Sequence, residues 1–239
     1  VAPGPSSTPK VAGIVGGIAP ESTIVYYRLL LTAFRKRRGA SSAPTIVLDS
    51  IDVDRLLALA ARDLGALRDY LAPEIARLAR AGADAAILAA NTPHLVFDEL
   101  RASSPIPLVS IVEATRDAAK ARGLRRLGLL GTRFTMEASF YPDVFRRAGL
   151  TIVLPEPAER EVVHAAYVGE LVKAVFRDET RARILAVIDA FRTRNGIDGV
   201  ILGGTELPLL LTGEAHDGLP LLDTTRIHVE AFADALWGA

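Results

Sequence analysis

The chain repeats itself, and that repeat limits its possible folds more than any other feature. Gly13-Ile14-Val15-Gly16 returns 115 residues later as Gly128-Leu129-Leu130-Gly131, and Tyr26 returns as Tyr141 at the same offset. Gly82-x-Asp84-x-Ala86-Ile87-Leu88 reappears as Gly196-x-Asp198-x-Val200-Ile201-Leu202 at 114, and Pro107-Leu108-Val109-Ser110 as Pro220-Leu221-Leu222-Asp223 at 113. Blocks in the same order at nearly constant offset predict two copies of one unit. A ligand then belongs in the cleft between the copies, where the carboxyl ends of both sheets can meet.

Short apolar runs at 11–16, 44–50, 84–90, 106–110, 125–131, 150–154, 198–204 and 219–223 alternate with amphipathic stretches at 21–38, 63–81, 112–122, 136–148, 178–194 and 224–237. The runs are continuous, not alternating, which predicts parallel strands covered on both faces and an α/β class. Residues 1–9, rich in Pro, Gly and Ser, read as a loose tail. The first domain is expected to hold 10–110 plus 223–239, with the last helix returning to it, and the second 111–222.

Composition excludes several chemistries. The 28 basic and 28 acidic side chains cancel, against the basic excess of a nucleic-acid binder. No apolar run approaches the roughly 18 residues of a membrane span, and no signal-peptide pattern is present, so the expectation is a cytoplasmic protein with neither membrane nor nucleic-acid partners. There is no cysteine, which removes disulfides, thiolate metal sites and thiol nucleophiles.

Polar residues collect where apolar strands end. Each half runs from its first strand into a Gly turn, Gly16-Gly17-Ile18-Ala19-Pro20-Glu21-Ser22-Thr23 and Gly131-Thr132-Arg133-Phe134-Thr135. Such turns let backbone approach a ligand, although Ser22 or Thr135 as a plain helix cap explains them equally well. The spacing of a dinucleotide fingerprint is missing. The third repeated strand ends in Ala90-Asn91-Thr92-Pro93-His94 in one half and Gly204-Thr205-Glu206-Leu207-Pro208 in the other. Polar groups at equivalent strand mouths are costly to bury without partners, which favours a ligand site. His94 alone also reads as a histidine bonded to a loop carbonyl, and Glu206 as a helix-end charge.

These pieces resemble the aspartate/glutamate racemase family, in particular its broad-specificity amino-acid racemase branch. The resemblance rests on GIVGGIAPESTIVYYRL (13–29), NTPH (91–94), LGLLGTRFTMEASFY (127–141), PEPAER (155–160) and LGGTELPLLL (202–211). It implies two pseudo-symmetric, Rossmann-like parallel-sheet domains, an active site in the interdomain cleft, a homodimer, and neither pyridoxal phosphate nor metal. It also implies two opposed cysteines, one before each Asn-Thr or Thr-Glu pair. Those positions here are Ala90 and Gly204, and the repeat pairs them independently. Neither ionises, so two-thiol racemisation is not expected. A substrate-holding lysine of the family is replaced by Val162, and the lost side chains at 90 and 204 are expected to enlarge the cavity.

Two classes of function follow. One is a cofactor-independent, isomerase-like enzyme acting on a small carboxylate or carbonyl compound without cysteines, possible chemistries including racemisation, decarboxylation, lyase or cyclase reactions. Proton transfer would fall to Glu206 or His94, with Tyr26 and Glu21 in reserve. Ser22, Thr23, Ser50, Asn91, Thr92, Thr132 and Thr205 would bind the substrate. The other is a non-catalytic carboxylate-binding protein, or a racemase whose cysteines have been deliberately replaced. Apolar stretches at Val25–Leu31 and Leu209–Leu211 offer surface for a dimer partner.

Overall fold

The computed structural model describes residues 10–18 and 20–238; the tail expected at 1–9 lies outside them. Two separate sheets form. In the first, β1 (Ala12–Gly16) is flanked in parallel by β2 (Ile46–Ser50) and β3 (Ala85–Leu88), in the order β2-β1-β3. In the second, β4 (Arg126–Gly131) lies between β5 (Thr151–Val153) and β6 (Gly199–Gly203). Next to β6 comes β8 (Leu219–Asp223), with the short β7 (Ala215–His216) antiparallel at its edge. The repeat is thus visible as two sheets with the same central order.

The run 106–110 differs from its repeat partner β8. It contributes only one parallel bridge, between Ala86 and Leu108. Pro105 and Pro107 lack N–H donors, which limits a ladder there.

Helices cover both faces of each sheet. α1 (Pro20–Arg38), α2 (Val53–Ala60), α3 (Leu64–Arg80) and α4 (Phe97–Ser103) belong with the first, preceded by a short 3₁₀ turn at Thr92–Val96. α5 (Ile111–Ala121), α6 (Arg133–Glu137), α7 (Phe140–Arg147), α8 (Pro157–Gly169), α9 (Asp178–Asn195) and α10 (Leu207–Leu210) surround the second, and α11 (Thr224–Trp237) ends the chain. The expected single helix over 136–148 is two, because Ala138 adopts extended backbone (ψ 159°) between α6 and α7. The periodicity reading also passed over α2, α4, α8 and α10.

Local chemistry sets these boundaries. Asp52 accepts from the N–H groups of Asp54 (2.9 Å) and Arg55 (3.1 Å) to start α2. Glu156 and Glu159 form a capping box around Pro157 to start α8, an arrangement that satisfies otherwise orphaned N–H groups. Gly196, at φ 60°, ends α9 in the left-handed region that a glycine adopts without a Cβ penalty.

Four apolar clusters fill the spaces between layers. Two exchange helices between the sheets. α11 follows β8 of the second sheet, yet Val229, Phe232, Ala233, Leu236 and Trp237 pack with Ile14 of β1 and with Tyr26, Leu30 and Phe34 of α1. α5 follows the first sheet, and its Ile111, Val112 and Ala119 pack with Leu127 and Leu129 of β4. Arg37 on α1 ties this arrangement down by pairing with Glu230 (2.8 Å) and Asp234 of α11.

Candidate active site

Loops leaving the carboxyl ends of both sheets enclose a cavity of about 300 Å³. The first sheet supplies Ile18 after β1, Val53, Asp54 and Leu57 after β2, and Ala90, Asn91 and Thr92 after β3. The second supplies Thr132, Phe134 and Thr135 after β4 and Gly203 to Glu206 at the end of β6. His164, Tyr167 and Val168 of α8, with Val172 and Lys173 just beyond it, close the remaining side. This is where a parallel α/β fold places its ligand.

Seven of the residues singled out in the sequence line this cavity: Ala90, Asn91, Thr92, Thr132, Gly204, Thr205 and Glu206. Several are already engaged. Asn91 Oδ1 accepts from the Tyr141 hydroxyl at 2.7 Å, and its Nδ2 donates to Thr224 Oγ1 at 3.4 Å. Thr132 Oγ1 accepts from the Thr135 N–H at 3.3 Å, capping α6. The Arg133 N–H of that five-residue helix donates to His164 Nδ1 at 3.2 Å, so it is committed to a side chain.

The other candidates are outside the lining, although Ser22 lies beside the Glu206 carboxyl. His94 Nε2 accepts the Ile111 N–H at 3.1 Å, which leaves Nδ1 protonated to donate to the Ala90 carbonyl at 3.1 Å. Both ring nitrogens are therefore structural. Burial holds the imidazole well below its ordinary pKa, and neighbouring His228 adds to the effect. Tyr26 donates to His228 Nδ1 at 2.9 Å, deep in the core. Its phenol is pushed well above the usual value, first by burial and then by Asp223. Glu21 and Ser50 are exposed. Thr23 Oγ1 accepts from the Gly17 N–H at 2.9 Å, and Ser22 Oγ donates to the Ile18 carbonyl at 3.4 Å. Gly17, at φ 82°, leaves no room for a Cβ against the backbone of Ile51 and the Ser50 hydroxyl.

Glu206 is the ionisable centre. It is 1% exposed, and Oε2 accepts from the hydroxyls of Tyr167 and, at 3.1 Å, Thr205. Oε1 is buried and accepts no well-formed hydrogen bond among the described residues, although the Ser22 hydroxyl lies close enough to act on the carboxyl. Burial pushes this carboxyl up to about 7, while its own backbone N–H and the Ser22 hydroxyl pull it back down. A group with that value gives and takes protons near neutrality, as acid–base catalysis needs.

Tyr167 was not foreseen, nor was Lys173. The capping box at 156–159 was the available signal for α8, and helical spacing from it would have carried Tyr167 to the inner face. Tyr167 also overturns the expectation of an enlarged cavity: its ring fills the space beside Gly204, where a built Cβ would lie 2.8 Å from the hydroxyl oxygen. Val162 is on an exposed part of α8, outside the lining, whereas Lys173 is a lining residue that is itself exposed.

Residues 15–232 match the family described as Asp/Glu/hydantoin racemase. The chain belongs to that family. Among solved structures, an aspartate racemase homologue from Pyrococcus horikoshii OT3 is 32% identical, with a TM-score of 0.81 over 96% of this chain and 99% of that one. A Yersinia pestis protein provisionally named an Asp/Glu racemase is 33% identical, with a TM-score of 0.86 over 95% and 99%. A glutamate racemase from Shewanella loihica is 30% identical over 60% of this chain, and the match spans only 54% of that protein. Within this family fold, the chain carries alanine at 90, glycine at 204 and no cysteine anywhere. Among the described residues, no helix is long and apolar enough to cross a membrane.

Proposed function

We propose that this racemase-family protein is a cofactor-independent, isomerase-like enzyme that moves a proton on a small carboxylate or carbonyl compound without thiols. The observation that carries this reading is Glu206, a buried carboxyl with a pKa near 7 in a cavity at the carboxyl ends of two parallel sheets. Positioned acid–base groups typically contribute about 10²–10⁴-fold to rate.

The lining selects the substrate. Ile18, Val53, Leu57, Phe134, Val168 and Val172 make most of the wall apolar, and Lys173 is the ammonium among the lining residues. One cation suits one carboxylate, so a monocarboxylic acid with an apolar side chain fits better than aspartate or glutamate. Each buried methylene of such a ligand contributes about 0.8 kcal/mol.

The alternative is a non-catalytic carboxylate-binding protein, and the two structural bonds of His94 favour it. Glu206 favours the enzyme, since binding alone gives no reason to bury a carboxyl whose desolvation costs about 1–3 kcal/mol. The test is deuterium wash-in at Cα across a panel of amino and hydroxy acids. Solvent deuterium entering one of them supports the enzyme; ligand binding without exchange supports the alternative.

A homodimer is part of the proposal. Leu210 and Leu211 pack in the core beside the second sheet, so of the two apolar stretches only α1 offers a partner surface, where Ile24 and Tyr27 are each 45% exposed.

A further inference from the structure

Tyr167 stands where a side chain at position 204 would stand. A Cβ built on Gly204 would lie 2.8 Å from both Cζ and the hydroxyl oxygen of Tyr167, closer than real side chains approach. The ring packs in an apolar cluster with Met136, Val163, Ala166 and Leu207, and it also lines the cavity. Its hydroxyl donates to Glu206 Oε2, and all three residues line the same cavity.

From this geometry we infer that the Tyr167 hydroxyl, backed by the Glu206 carboxylate, exchanges the proton with the substrate on the Gly204 side, and that the Ala90 side has no counterpart. The inference rests on the proton-transfer reading above and names the group that performs it. As the substrate C–H bond breaks, its electron pair passes into the adjacent carboxyl or carbonyl group as an enediolate or enolate. The proton forms a bond to the Tyr167 oxygen while the phenol's own proton moves to Glu206 Oε2. The reverse sequence returns a proton, or a deuteron from solvent, to the same carbon. Atoms and charge balance without another reactant.

The Ala90 side offers no buried acid–base pair, since its lining carboxylate, Asp54, is exposed. Ala90 presents a methyl group, and the imidazole behind it spends both nitrogens on the Ala90 carbonyl and the Ile111 N–H. A proton taken from the Gly204 side therefore returns to that side. The outcome is exchange with retention of configuration.

The experiment follows deuterium incorporation in D₂O with the separate enantiomers of leucine, valine and phenylalanine and their 2-hydroxy analogues. The expected result is incorporation into one enantiomer without appearance of the other. Tyr167→Phe keeps the ring packed, and should lower the exchange kcat by about 10²-fold or more while leaving KM within about threefold. In the infrared, the same variant should shift the Glu206 carboxyl band, assigned by its loss in Glu206→Gln. Exchange that survives Tyr167→Phe within threefold, formation of the opposite enantiomer as fast as exchange, or an unmoved carboxyl band overturns this inference alone. No exchange with any acid overturns it together with the proton-transfer reading.

Discussion

Gly204 and Tyr167 occupy one another's space: the missing Cβ of the first falls 2.8 Å from the hydroxyl oxygen of the second. Gly204→Ala should therefore destabilise the protein by about 1–3 kcal/mol, the usual cost of overpacking. In a Tyr167→Ala background the same change should cost at least about 1 kcal/mol less, because the obstructing ring is gone. Urea denaturation of the four proteins of this cycle measures the coupling, and additive costs would count against the packing described.

Glu206 should trade stability for chemistry. Its folded pKa of about 7 lies above the ordinary carboxyl value of 4.5. The stability linked to its proton is complete below pH 4.5 and is lost as pH rises through 7. Glu206→Gln should thus be stabilised relative to the parent at pH 9 by an amount on the order of 3 kcal/mol more than at pH 4.5. Thermal unfolding of both proteins across that range tests the sign, and a pH-independent difference would refute it.

His228 acts in the opposite direction. Burial lowers it to about 4, partly offset by its bond to the Val109 carbonyl. Its contribution is fully present above pH 6.5 and disappears as pH falls towards 4, since the unfolded chain takes up the proton first. His228→Phe should cost about 1–3 kcal/mol at pH 8, where the Tyr26 hydroxyl loses its acceptor. That cost should shrink towards pH 4.5. Guanidinium titrations at the two pH values supply the comparison.

If α1 forms the dimer face, light scattering should give twice the 25.5 kDa chain mass at micromolar concentration. Tyr27→Glu, which puts a charge on an exposed position of that face, should return a 25.5 kDa species. A parent protein already at 25.5 kDa would remove the dimer.

Much of this architecture was legible from periodicity. The continuous runs at 11–16, 125–131 and 198–204 are strands because neither face meets water, and the repeat of GIVG as GLLG marks the equivalent strands β1 and β4 of the two sheets. Ala90 and Gly204 could be placed at the cavity because each lies just past the carboxyl end of the third repeated strand of its half. What periodicity could not reach were packing events across distant segments. Tyr167 is 37 residues before Gly204, and nothing in either local sequence announces that one ring replaces the other's side chain. His94 looked like a proton carrier because its residue type titrates near neutrality; its commitment to Ile111 depends on where α5 begins. Lys173 follows α8 in an unpatterned turn, so its approach to the cavity had no sequence signal.

The crossed helices have a consequence for how the protein comes apart. Ser110 caps α5 through the Glu113 N–H, and Asp223 caps α11 through the Thr225 and Arg226 N–H groups, so the chain enters each crossing helix directly. Each sheet's core is completed by a helix that follows the other sheet's last strand. Melting either half strips an apolar cover from its neighbour, and cooperativity reaches across the cleft that separates the two sheets. Two domains in architecture should therefore melt as one unit, in a single calorimetric transition, where domains without exchanged helices would melt separately.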